Sequence, residues 1–318
     1  MSFCLVADVS CDVPQKYLSH PQLRLLPTHV YAGQQRYLDT RHQESTERFY
    51  ATNLVSPDAA EGRSEPLTAD EMLKAFNEHL ANHFDQVLGV FVASSRSSIY
   101  ARAKQAMSQA RVHAYSARAR TGSFTPLQAD CLDSQALFAG YAAQVLDLID
   151  QMEQGVDLMK LIARQKLMVP HTYTYMAPGD VSYILRRAAF KGEKSVGSVA
   201  AFAAKTFSIT PILQAHQGVT SAVGRKLGRI KAREAIVEMG IRSMNHNLLL
   251  TKNICLSYSG DLQDVTRMPC YDQLLAVAKK SNHHIHLAQM SMTGSVNVGP
   301  EALSIGLIAK KHAVAQLV

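Results

Sequence analysis

The sequence has no apolar run approaching the roughly eighteen residues that a membrane-spanning helix requires. It has no C-x-x-C pair, and its cysteines, Cys4, Cys11, Cys131, Cys255 and Cys270, are odd in number. That pattern excludes a zinc ribbon and a disulfide framework and points to reduced thiols in the cytoplasm. There is no G-x-S-x-G nucleophile elbow, no internal repeat and no low-complexity tract. No basic segment precedes the apolar start MSFCLVADVS, which meets a charge at Asp8. The start therefore reads as a first strand and not as a signal peptide. The net charge is +7, and its densest stretch is 224–233, GRKLGRIKAR. No aromatics are interleaved there, which argues against a nucleic-acid interface. The stretch reads as a solvated helix face, with a docking surface for an acidic partner or phosphate as the sharper alternative.

What is present is enough apolar material, 47% of 318 residues, for two domains and a sizeable core. Residues 2–9 read as a buried strand, and LRLLPTHVY (23–31) as one extended segment interrupted by Pro27. Residues 51–67 read as a loop. Thr68 followed by Glu71 is a capping box, and Met72, Leu73, Phe76, Leu80 and Phe84 follow at helical spacing. Val87–Ala93 is a continuous apolar run, as expected of a strand covered on both faces. A helix follows through Ala106, then a basic, irregular connection over 111–125. After Asp133 comes a strong helix with Leu137, Phe138, Tyr141, Val145, Leu148, Ile149 and Met152 on one side. Gly155 ends that pattern. Extended pieces at 167–176, 207–214, 253–259 and 283–290 then alternate with helices. Strand–helix alternation makes the fold class α/β, with a mostly parallel sheet in the first unit. The expected domains are 1–160 and 161–318.

Three polar clusters follow strand-like runs: Asp8-Val9-Ser10-Cys11-Asp12, Ser94-Ser95-Arg96-Ser97-Ser98 and Asp133-Ser134. In an open α/β sheet the carboxyl ends of the strands share one crevice, and that is where ligands bind. Hydroxyls and free N–H groups at helix starts suit an anion there. Asp8 and Asp12 read as loop-fixing or capping groups before acid–base catalysts, because no third carboxylate completes a metal site. The serines lack a signature His and Asp and are better anion ligands than nucleophiles. His284 and His286 share a strand face while His283 points away, too few ligands for closed zinc, so they read as polar groups on an exposed sheet face. Arg63-Ser64-Glu65-Pro66 is either an exposed loop or a guanidinium aimed at an anion.

The order of these pieces resembles the DegV family of bacterial lipid-binding proteins along nearly the whole chain. Its opening Asp-Ser-x-x-Asp-Leu-Pro pattern stands as Asp8-Val9-Ser10-Cys11-Asp12-Val13-Pro14. Pro27-Thr28-His29-Val30, Asp39 and Phe49-Tyr50 follow. The Thr-Ser-Gln-Pro loop stands as Arg63-Ser64-Glu65-Pro66, and the Ser-x-x-Ser-Gly-Thr-Tyr loop as Ser94-Ser95-Arg96-Ser97-Ser98-Ile99-Tyr100. Asp133-Ser134 with Gly140, Thr210-Pro211-Ile212-Leu213 with Gln217-Gly218, and Gly299-Pro300 complete the series. Departures fall at three places. Arg63 replaces a threonine and Asn297 a histidine. Ala188 and Ala189 replace the glycines of a Gly-Gly-Arg sequence whose arginine falls at Phe190.

The resemblance implies two α/β domains holding a long-chain fatty acid in an apolar tunnel, its carboxylate meeting the polar loops. The ligand-binding residues so implied are Arg63, Ser64, Ser94, Ser97, Ser98 and Asn297. It implies a non-enzymatic cytoplasmic carrier that needs no cofactor or metal. Some family members present the acid to a separate fatty acid kinase. The alternative is an enzyme acting on a small anionic or phosphorylated substrate in the same cleft.

Overall fold

The runs FCLVAD and QVLGVF are buried almost throughout, as strands with helices on both faces must be. They form the centre of a parallel sheet in the computed structural model, which describes residues 2–52, 62–80, 83–120, 125–191 and 209–310. The chain begins β1 (Phe3–Asp8), α1 (Gln15–Leu18), β2 (Leu23–Leu26), β3 (Thr28–Ala32), β4 (Gln35–Asp39), α2 (Gln43–Ala51) and β5 (Arg63–Pro66). It continues α3 (Ala69–His79), β6 (Gln86–Phe91), α4 (Ile99–Arg120), β7 (Gln128–Asp133) and α5 (Phe138–Glu153). The parallel sheet has the order β2-β1-β6-β7, and a small antiparallel sheet has the order β4-β3-β5.

Next come α6 (Leu158–Met168), β8 (Thr172–Ala177), α7 (Val181–Lys191), β9 (Ile209–His216), β10 (Val219–Leu227) and α8 (Arg229–Asn245). The remainder is β11 (Asn253–Tyr258), α9 (Leu262–Thr266), α10 (Pro269–Lys280), β12 (His284–Gln289), α11 (Met292–Val298) and β13 (Leu303–Ile308). These strands form a second sheet, β10-β9-β8-β13-β11-β12, antiparallel except for the β11–β12 pair. Mixed pairing fits strands joined by a hairpin at one edge and by a helical crossover at the other.

Several elements differ from the sequence reading. Pro27 does not merely interrupt one strand. β2 joins the parallel sheet and β3 the small one, so the proline marks a change of sheet. Helix α4 runs on to Arg120 through the stretch read as irregular. Its buried stripe is Ala103, Ala106, Met107, Ala110 and Ala114 packed by α3, so alanine forms most of the contact. Within 51–67, read as loop, Arg63–Pro66 is a strand, and 53–61 lie outside the described residues. Residues 224–227 of the basic stretch belong to β10, and only the part from Arg229 is helical. The capping box stands as read: Glu71 N–H donates to Thr68 Oγ1 at 3.2 Å, and Thr68 N–H to Glu71 Oε2 at 2.8 Å.

Helix α5 is apolar nearly all round and is buried from both sides. Its Tyr141 hydroxyl reaches Val90 O (2.5 Å) and Asp8 Oδ2 (3.1 Å) in the parallel sheet. Its other side lies on the second sheet, where a Cβ on Gly306 would fall on the backbone of Ala139 and Gly140. Only glycine permits that approach. Gly306→Ala is expected to cost about 2–3 kcal/mol through overpacking, read as a lower urea midpoint with an unchanged m-value.

His286 is not on an exposed face. It is 5% exposed, its Nε2 lies 2.8 Å from Asn253 Oδ1, and its ring meets Tyr17 edge-on. Burial, with Lys16 and His284 nearby, pushes its pKa down from 6.5 to about 4. The folded state therefore resists a proton that the unfolded chain takes up below 6.5. This contribution to stability is complete above that pH and is lost as pH falls towards 4. The full loss is about 3 kcal/mol. His286→Gln should flatten stability against pH across this window relative to the parent chain. Equal slopes in urea titrations at several pH values would disprove the assignment.

Candidate functional site

Three aspartates with no solvent exposure, Asp8, Asp12 and Asp39, hold the loops that meet between the sheets. Asp8 ends β1. It accepts from the Ser10 hydroxyl, Ser10 N–H (3.0 Å), Val92 N–H (2.9 Å) and the Tyr141 hydroxyl. Asp12 does not cap α1, whose N-cap is Pro14. It reaches the second sheet instead, accepting from Ser257 Oγ at 2.5 Å and Ser291 N–H at 2.9 Å. Asp39 accepts from Thr293 N–H at 2.8 Å and Arg41 N–H at 3.3 Å. The Arg41 guanidinium lies 3.5 Å from Asp12 and donates to Val13 O and Gln289 O. Burial raises the pKa of all three carboxyls. Arg41 draws Asp12 and Asp39 back down, and donated hydrogen bonds do so for Asp8. Loop-fixing is thus what these aspartates do.

The loops so held enclose a cavity of about 460 Å³, a size typical of small-ligand sites. Its apolar wall is Leu137 and Phe138 before and at the start of α5, Met176 on β8, Ile184 on α7, Leu213 on β9 and Val298. Its polar side brings together Ser10, Thr28, Ser64, Ser97, Ser98, Thr293 and Asn297, with the guanidinium-bearing Arg96 and Arg187. Asn297 links two of these elements. Its Nδ2 donates to Ser64 Oγ (3.1 Å) and to Thr293 O (2.7 Å), and its Oδ1 accepts from Arg187 Nη2 (3.1 Å). Thr28 Oγ1 is buried and makes no hydrogen bond among the described residues. A buried hydroxyl on a cavity wall without a protein partner is suited to a ligand atom.

Of the sequence-derived candidates, Ser64, Ser97, Ser98 and Asn297 line this cavity. Arg63 does not. Alternation along β5 turns Ser64 inward and Arg63 out, where it is 55% exposed, pairs with Glu65 at 3.2 Å and stacks on the Tyr31 ring at 4.3 Å. Ser94 is also exposed and away from the lining. Its hydroxyl donates to Asp133 Oδ2 at 2.5 Å, tying the serine loop to the end of β7. Arg187 was missed. The sequence comparison set the family's arginine at Phe190, whereas Arg187, only 3% exposed, supplies a guanidinium to the cavity. One helical turn separates the two positions, and the basic pair Arg186-Arg187 was the available signal. The side chains of Ala188 and Phe190 lie outside the described residues. The described residues contain no cluster of three or more potential metal ligands, and none of their helices is long and apolar enough to cross a membrane.

Removing Asp12 should unfold this frame before it alters any ligand contact. Asp12→Ala takes the ion-pair partner from the 5%-exposed Arg41 and strands two donors, a change expected to cost about 3–5 kcal/mol. Asp12→Asn, which keeps an acceptor, should cost less. Urea denaturation of both variants measures this, and an alanine variant as stable as the parent would refute it.

The chain matches the model of the DegV family, described as uncharacterised, over residues 2–310. It is 30% identical to a DegV domain-containing protein of Xanthomonas campestris pv. campestris over 313 residues, 98% of this chain and 99% of that one. Among solved structures it is similar to a fatty-acid-binding DegV family protein from Thermus thermophilus, with a TM-score of 0.74 at 20% identity, covering 98% of this chain and 100% of the other. It is also similar to a stearic-acid-binding protein from Eubacterium ventriosum, with a TM-score of 0.75 at 15% identity, covering 97% and 98%. At such identities the structures speak for the fold, and the family match speaks for kinship: the chain belongs to the DegV family.

Proposed function

We propose that this protein binds a long-chain fatty acid, with the acyl chain on the Phe138–Met176–Leu213 wall and the carboxylate at the Ser64–Asn297–Arg187 corner. The observation that carries this reading is the junction of an apolar wall with a connected polar corner inside one cavity. Solved family members described as fatty-acid-binding proteins support it. Burying the chain contributes about 0.8 kcal/mol per methylene, so a few polar contacts are enough to orient the acid. A guanidinium and several hydroxyls match the acceptor pattern of a carboxylate.

The units meeting at the cavity are taken as 1–160 and 161–318. The division is supported by two apolar clusters, one drawn almost wholly from Phe3–Ile162 and one from Tyr173–Ala309. A cytoplasmic location fits five cysteines that are all free and buried. Handing the bound acid to a separate kinase belongs to the same reading and rests on the family resemblance. The enzyme alternative is weaker, because the described lining side chains include no His, Asp, Glu, Lys or Cys to act as base or nucleophile.

Native mass spectrometry of gently purified protein, followed by titration with oleate and its methyl ester, tests the binding. A stoichiometric acid or tight oleate binding is expected, and neither would refute the proposal. Arg187→Ala and Asn297→Ala should weaken the acid by about 1–3 kcal/mol and the ester less. Arg63→Ala should change neither. Equal losses for acid and ester in both cavity variants would place the carboxylate elsewhere.

A further inference from the structure

Phe138 has φ +46°, a left-handed backbone that a bulky residue rarely adopts. Nothing about an aromatic side chain favours it, so the surrounding structure must impose it. The preceding turn is held by a series of hydrogen bonds. Ser134 N–H donates to Phe91 O (2.9 Å), Gln135 N–H to Asp133 Oδ1 (2.9 Å) and Ala136 N–H to Ser134 Oγ (3.2 Å). Acceptors are used as fully. Ala93 N–H donates to Ala136 O (3.2 Å), Gly218 N–H to Gln135 O (2.9 Å) and Thr174 Oγ1 to Leu137 O (3.0 Å). Bonds from three separate segments therefore fix where the Phe138 Cα–Cβ bond points.

That bond carries the ring to the cavity lining, where it packs in one apolar cluster with Met176 and Leu213. The three differ in stiffness. Met176 has three flexible side-chain torsions and can yield to a ligand. Phe138 has a flat ring on a backbone held by these bonds. A wall that cannot yield sets a limit, whereas one that yields only adapts.

We propose that Phe138 is the specificity-determining residue of the cavity, its ring setting how long an acyl chain the protein accepts. This rests on the fatty-acid reading above. Removing the six ring carbons opens room for about four further methylenes, provided the neighbours do not collapse into it.

The test is a ladder of affinities for laurate, palmitate, stearate and behenate with the parent chain and with Phe138→Ala, Phe138→Gly and Phe138→Trp. Glycine accepts the left-handed backbone and alanine does not, so the pair separates ring removal from backbone strain. Both should favour behenate over laurate by about tenfold more than the parent does. Phe138→Trp should shift the preference towards laurate. Thermal melts identify any variant that fails to fold, and Phe138→Gly is the one whose backbone is least disturbed. A folded Phe138→Gly with the parent's ladder overturns the proposal, as does a shift in Phe138→Ala that Phe138→Gly does not share. A parent chain that binds none of the four acids overturns the underlying fatty-acid reading, whereas a parent that binds them with an unmoved ladder in the variants overturns only the role of Phe138.

Discussion

Burying a carboxylate away from water is tolerable only where hydrogen-bond donors replace the solvent, and this protein does so at Asp8, Asp12 and Asp39. The donors are mostly backbone N–H groups and hydroxyls of other loops. Each aspartate is therefore a node at which remote segments are forced to meet: Val92 with Ser10, Ser257 with Ser291, Thr293 with Arg41. The cavity is the space left between segments gathered in this way. Its polar lining follows directly, because Ser10, Thr28, Ser64 and Thr293 sit on the stretches those nodes bring together or beside them.

The second sheet adds the apolar wall and closes the site from the other side. Helix α5 makes the connection, with Tyr141 bonded into the parallel sheet and Gly140 pressed towards Thr174 on β8. The tip of the β9–β10 hairpin touches the serine loop, where Ser95 Oγ donates to Gly218 O at 2.6 Å. Polar loops and apolar wall are thus positioned by one set of contacts, and a change in either reaches the other.

Much of this was legible from residues alone. The apolar run before Ser94 marked a central strand, the Thr68–Glu71 pair marked a helix start, and the polar clusters after strands marked the crevice. Ser64, Ser97, Ser98 and Asn297, which line the cavity, could be picked out because short motifs stand in a fixed order along the chain. Arg63 misled because side-chain direction depends on strand alternation, and nothing in R-S-E-P announces a strand. Arg187 was hidden by a shift of one helical turn in a region where the glycines that would fix the alignment are absent. The alanine stripe of α4 and the sheet change at Pro27 depend on which partner packs against them, and that is not written locally. The burial of His286 beside Asn253 depends on the pairing of β12 with β11 in the same way.

Asn297 stands where the family pattern has a histidine, and the described cavity wall is otherwise serine, threonine, arginine and apolar side chains. An amide does not titrate, and a guanidinium keeps its charge throughout the cellular range. A histidine at that corner would have coupled ligand retention to acidification. With Asn297 there, the described lining has no imidazole or carboxyl side chain of its own, and on the proposed reading the titrating group at that corner is the carboxylate of the bound acid.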